Sequence, residues 1–372
     1  MSATKIFLQH ILIGLFIIHS QALPAQQAVT GRLTDATDGT PVASASVIVA
    51  NTTIGVDSDA EGNFSFTVPG RGSFEIVVSH IGYQSVFHKI VTPQDTHQYN
   101  VELETVELDE IVVRAAKTYR QNDVNLFWRM ILGETPSRRG MEVLNADKIY
   151  FYLNSERVLK ASCREPVEII NHYTGYRIRY VLQSFEHDYK NRAATFYGMP
   201  YFEELVPQNS REQERWEKKR QEVYAVSMNR FLRALYRKQI HEEGFVLADK
   251  DTLGNVRIIY PHPLEKKKND IDEINVSPFS LEDILQIEQG IAQVNIGEPL
   301  FLFCYSKLVT DRIIQKNYKN WVKNRSIPIQ ELLPAQIMVY SDGTYSGLLK
   351  TGEVNQYMNG LSSMVPVEYP EN

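Results

Sequence analysis

TDGTPVASASVIVANTTIGVDSDAEGNFSFTVPGRG, residues 37 to 72, decides how this chain is read. Phe64, Phe66 and Val68 alternate with Asn63, Ser65 and Thr67, the period of a strand with one face in a core and the other in water. Val47 and Val49 alternate in the same way with Ser46 and Ile48, which predicts a second half-buried strand. Asp38-Gly39 and Glu61-Gly62 place glycine where a positive φ costs little. Pro41 and Pro69 suit strand starts or edges. VTGRLTD precedes this stretch at residues 29 to 35 and SFEIVVSHIGYQS follows at 73 to 85. Short strands at such spacing predict a small β-sandwich over residues 26–104.

In order, Gly31, Asp35, Gly39, Pro41, Ala45, Val47, Gly55, Asp59, Gly62, Phe64, Pro69, Ser79, Gly82 and Tyr83 resemble the pattern of the carboxypeptidase-regulatory-like, or transthyretin-like, β-sandwich. The resemblance implies an accessory or interaction module without catalytic residues of its own. Such modules are appended to peptidases, to outer-membrane receptors of Bacteroidetes and to other envelope proteins. Residues 105–117 then read as a linker or strand. Within them Leu108, Asp109, Glu110, Ile111, Val112 and Val113 resemble a run that follows this sandwich in TonB-dependent receptors. One reading makes it a peptide that adds a strand to a partner's sheet edge; the other makes it a last strand or linker of this chain. Residues 118–372 are too few for a receptor's plug and large barrel.

Ahead of the sandwich, Lys5 is followed by an apolar run from Ile6 to Ile18, diluted by Gln9, His10 and Gly14. At about 1.5 Å per residue it falls well short of roughly 30 Å of hydrocarbon. Small residues at Ser20, Ala22 and Ala25 complete the pattern of a signal peptide over residues 1–25. Export to the periplasm or an outer-membrane association is therefore expected, with no transmembrane helix after the leader. The 372 residues carry 39 Lys and Arg against 45 Asp and Glu, a net charge of −6, which argues against nucleic acid as a partner. Cys163 and Cys304 are open to two readings, a single persisting disulfide or two ordinary small apolar residues.

Residues 118–372 mix periods and predict an α+β domain with antiparallel sheet. Strands are expected at 149 to 161, 176 to 183, 255 to 260, 300 to 305 and 335 to 340, the last leading through Asp342-Gly343 into a hairpin. In the second of these, Tyr176, Ile178, Tyr180 and Leu182 share one face, with Arg177, Arg179 and Gln183 on the other. Helices are expected over 123 to 132 before Gly133, and from a Ser210/Gln213 capping box to a Gly244 C-cap, as one helix or two in line. A third is expected over 281 to 289, between Ser280 and Gly290. FWRMILGETPSRRG, VLNADKIYFYL, REPVEIINHYTGYRIRYVLQSF, WEKKRQEVYAVSMNRFLRALYRKQIHEEGF and VPVEYPE resemble segments of short Bacteroidetes envelope proteins that pair this sandwich with an uncharacterised α+β region. That resemblance implies export and no particular activity.

No catalytic, cofactor or metal residues are expected. His262 and Glu265 fit an H-x-x-E pair, yet no histidine follows to supply a third zinc ligand. His241 lacks the second histidine of H-E-x-x-H, and no nucleophile elbow or phosphate loop occurs. His172 stands in sequence near Arg177 and Arg179, with Glu165, Glu168 and Glu186 in the neighbourhood, enough for a base oriented by a carboxylate. Tyrosines interleaved with polar groups, among them Tyr173, Tyr176, Tyr180, Tyr197 and Tyr201, suit sugar rings or a protein interface as well as a core. Tyr176, Arg177, Arg179 and His172 are accordingly the candidate binding residues. The reading is a multidomain, non-enzymatic envelope protein: an all-β transthyretin-like sandwich for docking and an α+β domain that binds an envelope protein or glycan. A hydrolase of peptides or glycans, and an accessory of TonB-linked uptake, are the alternatives.

Overall fold

A computed structural model of the chain describes residues 26–92, 97–106, 119–133, 140–191, 193–240, 242–250, 256–258, 280–304, 330–346 and 360–369. The expected signal peptide, Leu108 to Val113, His241 and the His262/Glu265 pair lie outside them.

The first domain is a two-sheet sandwich. β1 (Gln26–Asp35) pairs antiparallel with β4 (Asn63–Pro69) and parallel with β7 (His97–Gln98) and β8 (Val101–Leu103). The facing sheet runs β3 (Gly55–Asp57), β2 (Ser46–Val49), β5 (Gly72–Ser79), β6 (Val86–Thr92). Val29, Leu33, Val47, Phe64, Phe66 and Ile76 fill the space between the sheets. β4 keeps the expected alternation, its Phe64, Phe66 and Val68 buried and Asn63, Ser65 and Thr67 exposed. β2 does not: Ile48, on its outward face, is only 3% exposed. A second layer covers that face too.

The cover is the antiparallel sheet of the second domain. Its strands are β9 (Met141–Val143), β10 (Ile149–Leu153), β11 (Val158–Cys163), β12 (Val167–Asn171), β13 (Tyr176–Asp188) and β14 (Ala193–Glu204). The span expected as one strand over 149 to 161 is thus a hairpin, turned at Arg157 with φ +67°. β13 and β14 pair along nearly their whole length, and a register shift between Leu182 and Ser184 puts Phe185 back on the buried side. Tyr176, Ile178, Tyr180 and Leu182 lie in one core with Phe127 and Ile131. The latter two come from α1 (Gln121–Leu132), closed by Gly133 at φ +83°.

α2 (Ser210–Tyr224) and α3 (Met228–Tyr236) follow. The cap of α2 is one residue earlier than expected: Asn209, not Ser210, accepts the Glu212 backbone N–H. Ser227 caps α3 in turn, so the run divides into two helices. α3 ends at Tyr236, well before Gly244. It packs into a third core between two four-stranded sheets. One sheet runs β16 (Val256–Ile258), β15 (Phe245–Lys250), β19 (Leu300–Cys304), β20 (Gln330–Leu332). The other runs β17 (Leu285–Glu288), β18 (Ile291–Ile296), β21 (Ala335–Val339), β22 (Tyr345–Ser346). The helix expected over 281 to 289 is one turn, α4 (Leu281–Ile284), followed directly by β17. Gln289 and Gly290 both have positive φ, +50° and +75°, the signature of a two-residue hairpin turn rather than a helix cap.

The whole is multidomain, an all-β sandwich joined to an α+β region built on antiparallel sheets. Cys163 and Cys304 belong to different cores and form no disulfide with each other. Among the described residues no helix is long and apolar enough to cross a membrane.

Candidate binding surface at the domain seam

The outward face of the β3-β2-β5-β6 sheet is the floor of a seam. Ile48, Ala50 and Val77 meet Val181 of β13 and Met199 of β14, with Phe87 and Tyr201 packed at the margin. Fully burying a Val, Ile or Met side chain contributes roughly 1.5–3 kcal/mol, against about 1 kcal/mol net for a typical hydrogen bond. The apolar patch therefore outweighs any single polar contact and sets the docking.

Polar contacts ring this patch and fix its register. The turn after β2, where Asn51 adopts φ +63°, is held on both sides. Asn51 donates its N–H to the Pro200 carbonyl at 2.7 Å, and Phe202 donates to the Thr52 carbonyl at 2.9 Å. Val367 of the last described segment donates to the Asn51 carbonyl at 2.8 Å. That segment is itself anchored by Arg233, 9% exposed, which donates to the carbonyls of Val367 at 2.8 Å and Asp342 at 2.7 Å and to the Tyr224 hydroxyl at 2.8 Å.

At one end the seam opens onto an ionic rim. Arg179 lies between Glu168 of β12, 3.4 Å away, and Glu203 of β14, 3.0 Å away. Partial burial raises the Glu168 carboxyl above its ordinary value, opposed by Arg179. Tyr201 borders the same group, its phenol raised first by burial and then by Glu203.

At the other end the rim is aromatic. The Tyr197 hydroxyl donates to Glu75 Oε2 at 2.8 Å across the seam, with Tyr197 43% and Tyr345 40% exposed. Both phenols are raised, first by burial, and then by the hydrogen bond to Glu75 for Tyr197 and by the Glu75 charge for Tyr345. Lys89, opposite Glu75 on β6, donates to Ser346 Oγ at 3.0 Å. Half-exposed rings beside a carboxylate and an ammonium, drawn from both domains, are what small-molecule and glycan sites at domain junctions are made of.

The four candidate residues from the sequence do not come together. Tyr176 is 1% exposed, with the Arg220 guanidinium 4.0 Å over its ring. Arg177 and Arg179 share the seam-side face of β13, and Arg179 belongs to the ionic rim. His172 stands apart at the surface, its Nε2 3.0 Å from Glu142 Oε2. Glu186 pairs with Lys160 and Glu165 lies 4.0 Å from Lys148, so neither orients His172. Among the described residues no cluster of three or more His, Cys, Asp or Glu could hold a metal. Glu75, Lys89 and Tyr345 escaped the sequence reading. Glu75 had a signal, as the one charge inside the apolar run Phe74 to Val78; Lys89 and Tyr345 had none.

Fold and seam together define a two-sheet β-sandwich carried face-on by an α+β body. Residues 29–113 match the family of the CarboxypepD_reg-like domain. No curated protein matches the chain. Solved structures with partial likeness include 3-chlorocatechol 1,2-dioxygenase from Rhodococcus opacus 1CP, at 12% identity over 24% of this chain, with a TM-score of 0.20. The chain spans 62% of that enzyme's length. A DUF3823 family protein from Bacteroides ovatus ATCC 8483 is 12% identical over 49% of this chain and 82% of its own, TM-score 0.17. The major pilin subunit BcpA of Bacillus cereus is 10% identical over 88% of this chain and 93% of its own, TM-score 0.17.

Proposed function

We infer that this is a non-catalytic cell-envelope protein that binds an envelope protein or glycan at the aromatic rim of the domain seam. The observation that carries the reading is Tyr197 bonded to Glu75 across the seam while its ring stays half-exposed. A rigid platform with aromatic faces and paired charges binds at low entropic cost, because its side chains are already ordered. The Lys5-to-Ile18 leader supports export, and the sandwich acts as a fixed part of the platform, with domain limits near residues 104 and 118. The ion-paired state of Arg179, and a His172 that among the described residues pairs through its ring with Glu142 at an exposed surface, favour binding over hydrolysis.

A photo-crosslinking amino acid placed at Tyr345 tests this in intact envelopes. One reproducible partner is expected from that position and none from Thr67, on the exposed face of β4. Equal recovery from both, or none above background, overturns the reading.

A further inference from the structure

We propose that the outward face of the β17-β18-β21 sheet, which meets the sandwich at Ser346 and Lys89, is the track for an uncharged glycan chain. This deepens the binding reading above and rests on it.

The register writes the surface out. Gln286 of β17 lies opposite Gln293 of β18, which lies opposite Met338 of β21, which lies opposite Ser346 of β22. Ser346 in turn accepts from Lys89 of the sandwich. One step along, Asn295 faces Gln336. Gln286, Gln293, Asn295, Gln336 and Met338 are all exposed, while the alternate residues Ala292, Val294 and Ile337 are buried in the third core. Glu288, at the hairpin end opposite Ile291, is the one charge on this face among the described strand residues.

Exposed strand faces ordinarily solvate themselves with charged side chains; this one presents four adjacent carboxamides and a thioether. A carboxamide both donates and accepts, as a sugar hydroxyl does, so each can bond a hydroxyl in either sense with no charge left over. Met338, polarisable and flexible, offers a soft apolar patch for the flat side of a sugar ring. With neighbouring strands about 4.8 Å apart, the exposed row across three strands, from Gln286 to Met338, is roughly 10 Å long, room for one or two sugar units. It ends at Ser346, buried where the row meets the sandwich. Among the described residues no cation stands on the row itself; Arg71 lies against Gly290 at the hairpin end beside Glu288, and Lys89 bonds Ser346 at the other end. A protein partner would favour a more apolar core than this face supplies.

The test is affinity electrophoresis of the purified full chain through gels containing dextran, laminarin, mannan, xylan or, as the acidic comparison, polygalacturonate. Retardation by at least one of the four neutral polymers is expected, and none by polygalacturonate. Gln293→Ala combined with Gln336→Ala should weaken the interaction at least tenfold, and Gln293→Glu alone should weaken it as well, with unchanged melting temperature in each. Thr67→Ala should leave it unaltered. Absence of retardation by every neutral polymer, stronger retardation by polygalacturonate, or full retardation of the double variant overturns the proposal. If crosslinking from Tyr345 yields a protein while the neutral polymers fail, this inference falls and the binding reading stands; if both fail, both fall.

Discussion

The carboxylate of Glu368 accepts hydrogen bonds from both the backbone N–H and the hydroxyl of Thr53. Residues at opposite ends of the described chain thus meet on the turn after β2. The same turn is gripped by β14 on its other side. The sandwich is therefore built into the body rather than tethered to it, and the stability of the two should be coupled.

Ile48 reports that coupling. It faces away from the sandwich core and is buried only by the second domain. Ile48→Ala should cost about 2–5 kcal/mol, the range for emptying a buried isoleucine site, measured by urea unfolding. Ile48→Asp should go further and split the thermal transition in two, read by calorimetry. A loss under about 0.5 kcal/mol for Ile48→Ala, in the range of ordinary surface substitutions, would show that the seam is not packed as described.

Arg233 holds the C-terminal segment by the carbonyls of Val367 and Tyr369, and shares the Asp342 carbonyl with Asn229 Nδ2. Arg233→Leu leaves the carbonyl oxygens of Val367 and Asp342 and the Tyr224 hydroxyl without this donor. At about 1–3 kcal/mol per unsatisfied buried group, the loss should exceed about 3 kcal/mol. Limited proteolysis should then cut near residues 360 to 369 while the sandwich stays intact; an unchanged digestion pattern would contradict the anchoring.

Asp342 predicts a pH dependence. Its Oδ1 accepts from the Thr344 N–H at 2.9 Å and hydroxyl at 2.7 Å, and Thr344 Oγ1 accepts from Ser73 N–H of the sandwich at 2.9 Å. Burial raises its carboxyl above the ordinary 3.8, outweighing these bonds and the Arg233 charge. A carboxyl raised in the folded state binds its proton more tightly there than in the unfolded chain. Its contribution to stability therefore declines as pH rises from about 3.8 through the raised value, and stays lower above it. Glu168 acts in the same direction from its own ordinary value of 4.5. Asp342→Asn keeps the acceptor for Thr344 and removes the titration. Urea unfolding between pH 4 and 7 should show a shallower decline for this variant than for the native chain; parallel curves would refute the assignment.

Gly175 has φ +71°, and a methyl group there would sit 2.2 Å from Trp216 Cδ2. Gly175→Ala adds left-handed strain of roughly 1–2 kcal/mol to overpacking of roughly 1–3 kcal/mol. The expected loss is about 2–5 kcal/mol, with a shift in Trp216 fluorescence, since its Nε1 bond to the His172 carbonyl at 3.0 Å must move. An unchanged emission spectrum would place Trp216 elsewhere.

Part of this fold follows from neighbours along the chain alone. The alternation in Asn63–Pro69, the two faces at the start of β13, the Gly133 cap and the Asp342-Gly343 turn depend on a residue's own φ and on a period of two or 3.6. Tertiary structure decided the rest. A period shows that Ile48 points away from Val47, and only the docking of β13 and β14 shows that it points into protein. Gln289-Gly290 satisfies a helix end and a hairpin equally well in sequence; the pairing of Glu288 with Ile291 selects the hairpin. Glu75, Tyr197 and Tyr345 are far apart in the chain, and what unites them is the burial of two apolar faces against each other, a long-range free energy that no local pattern encodes.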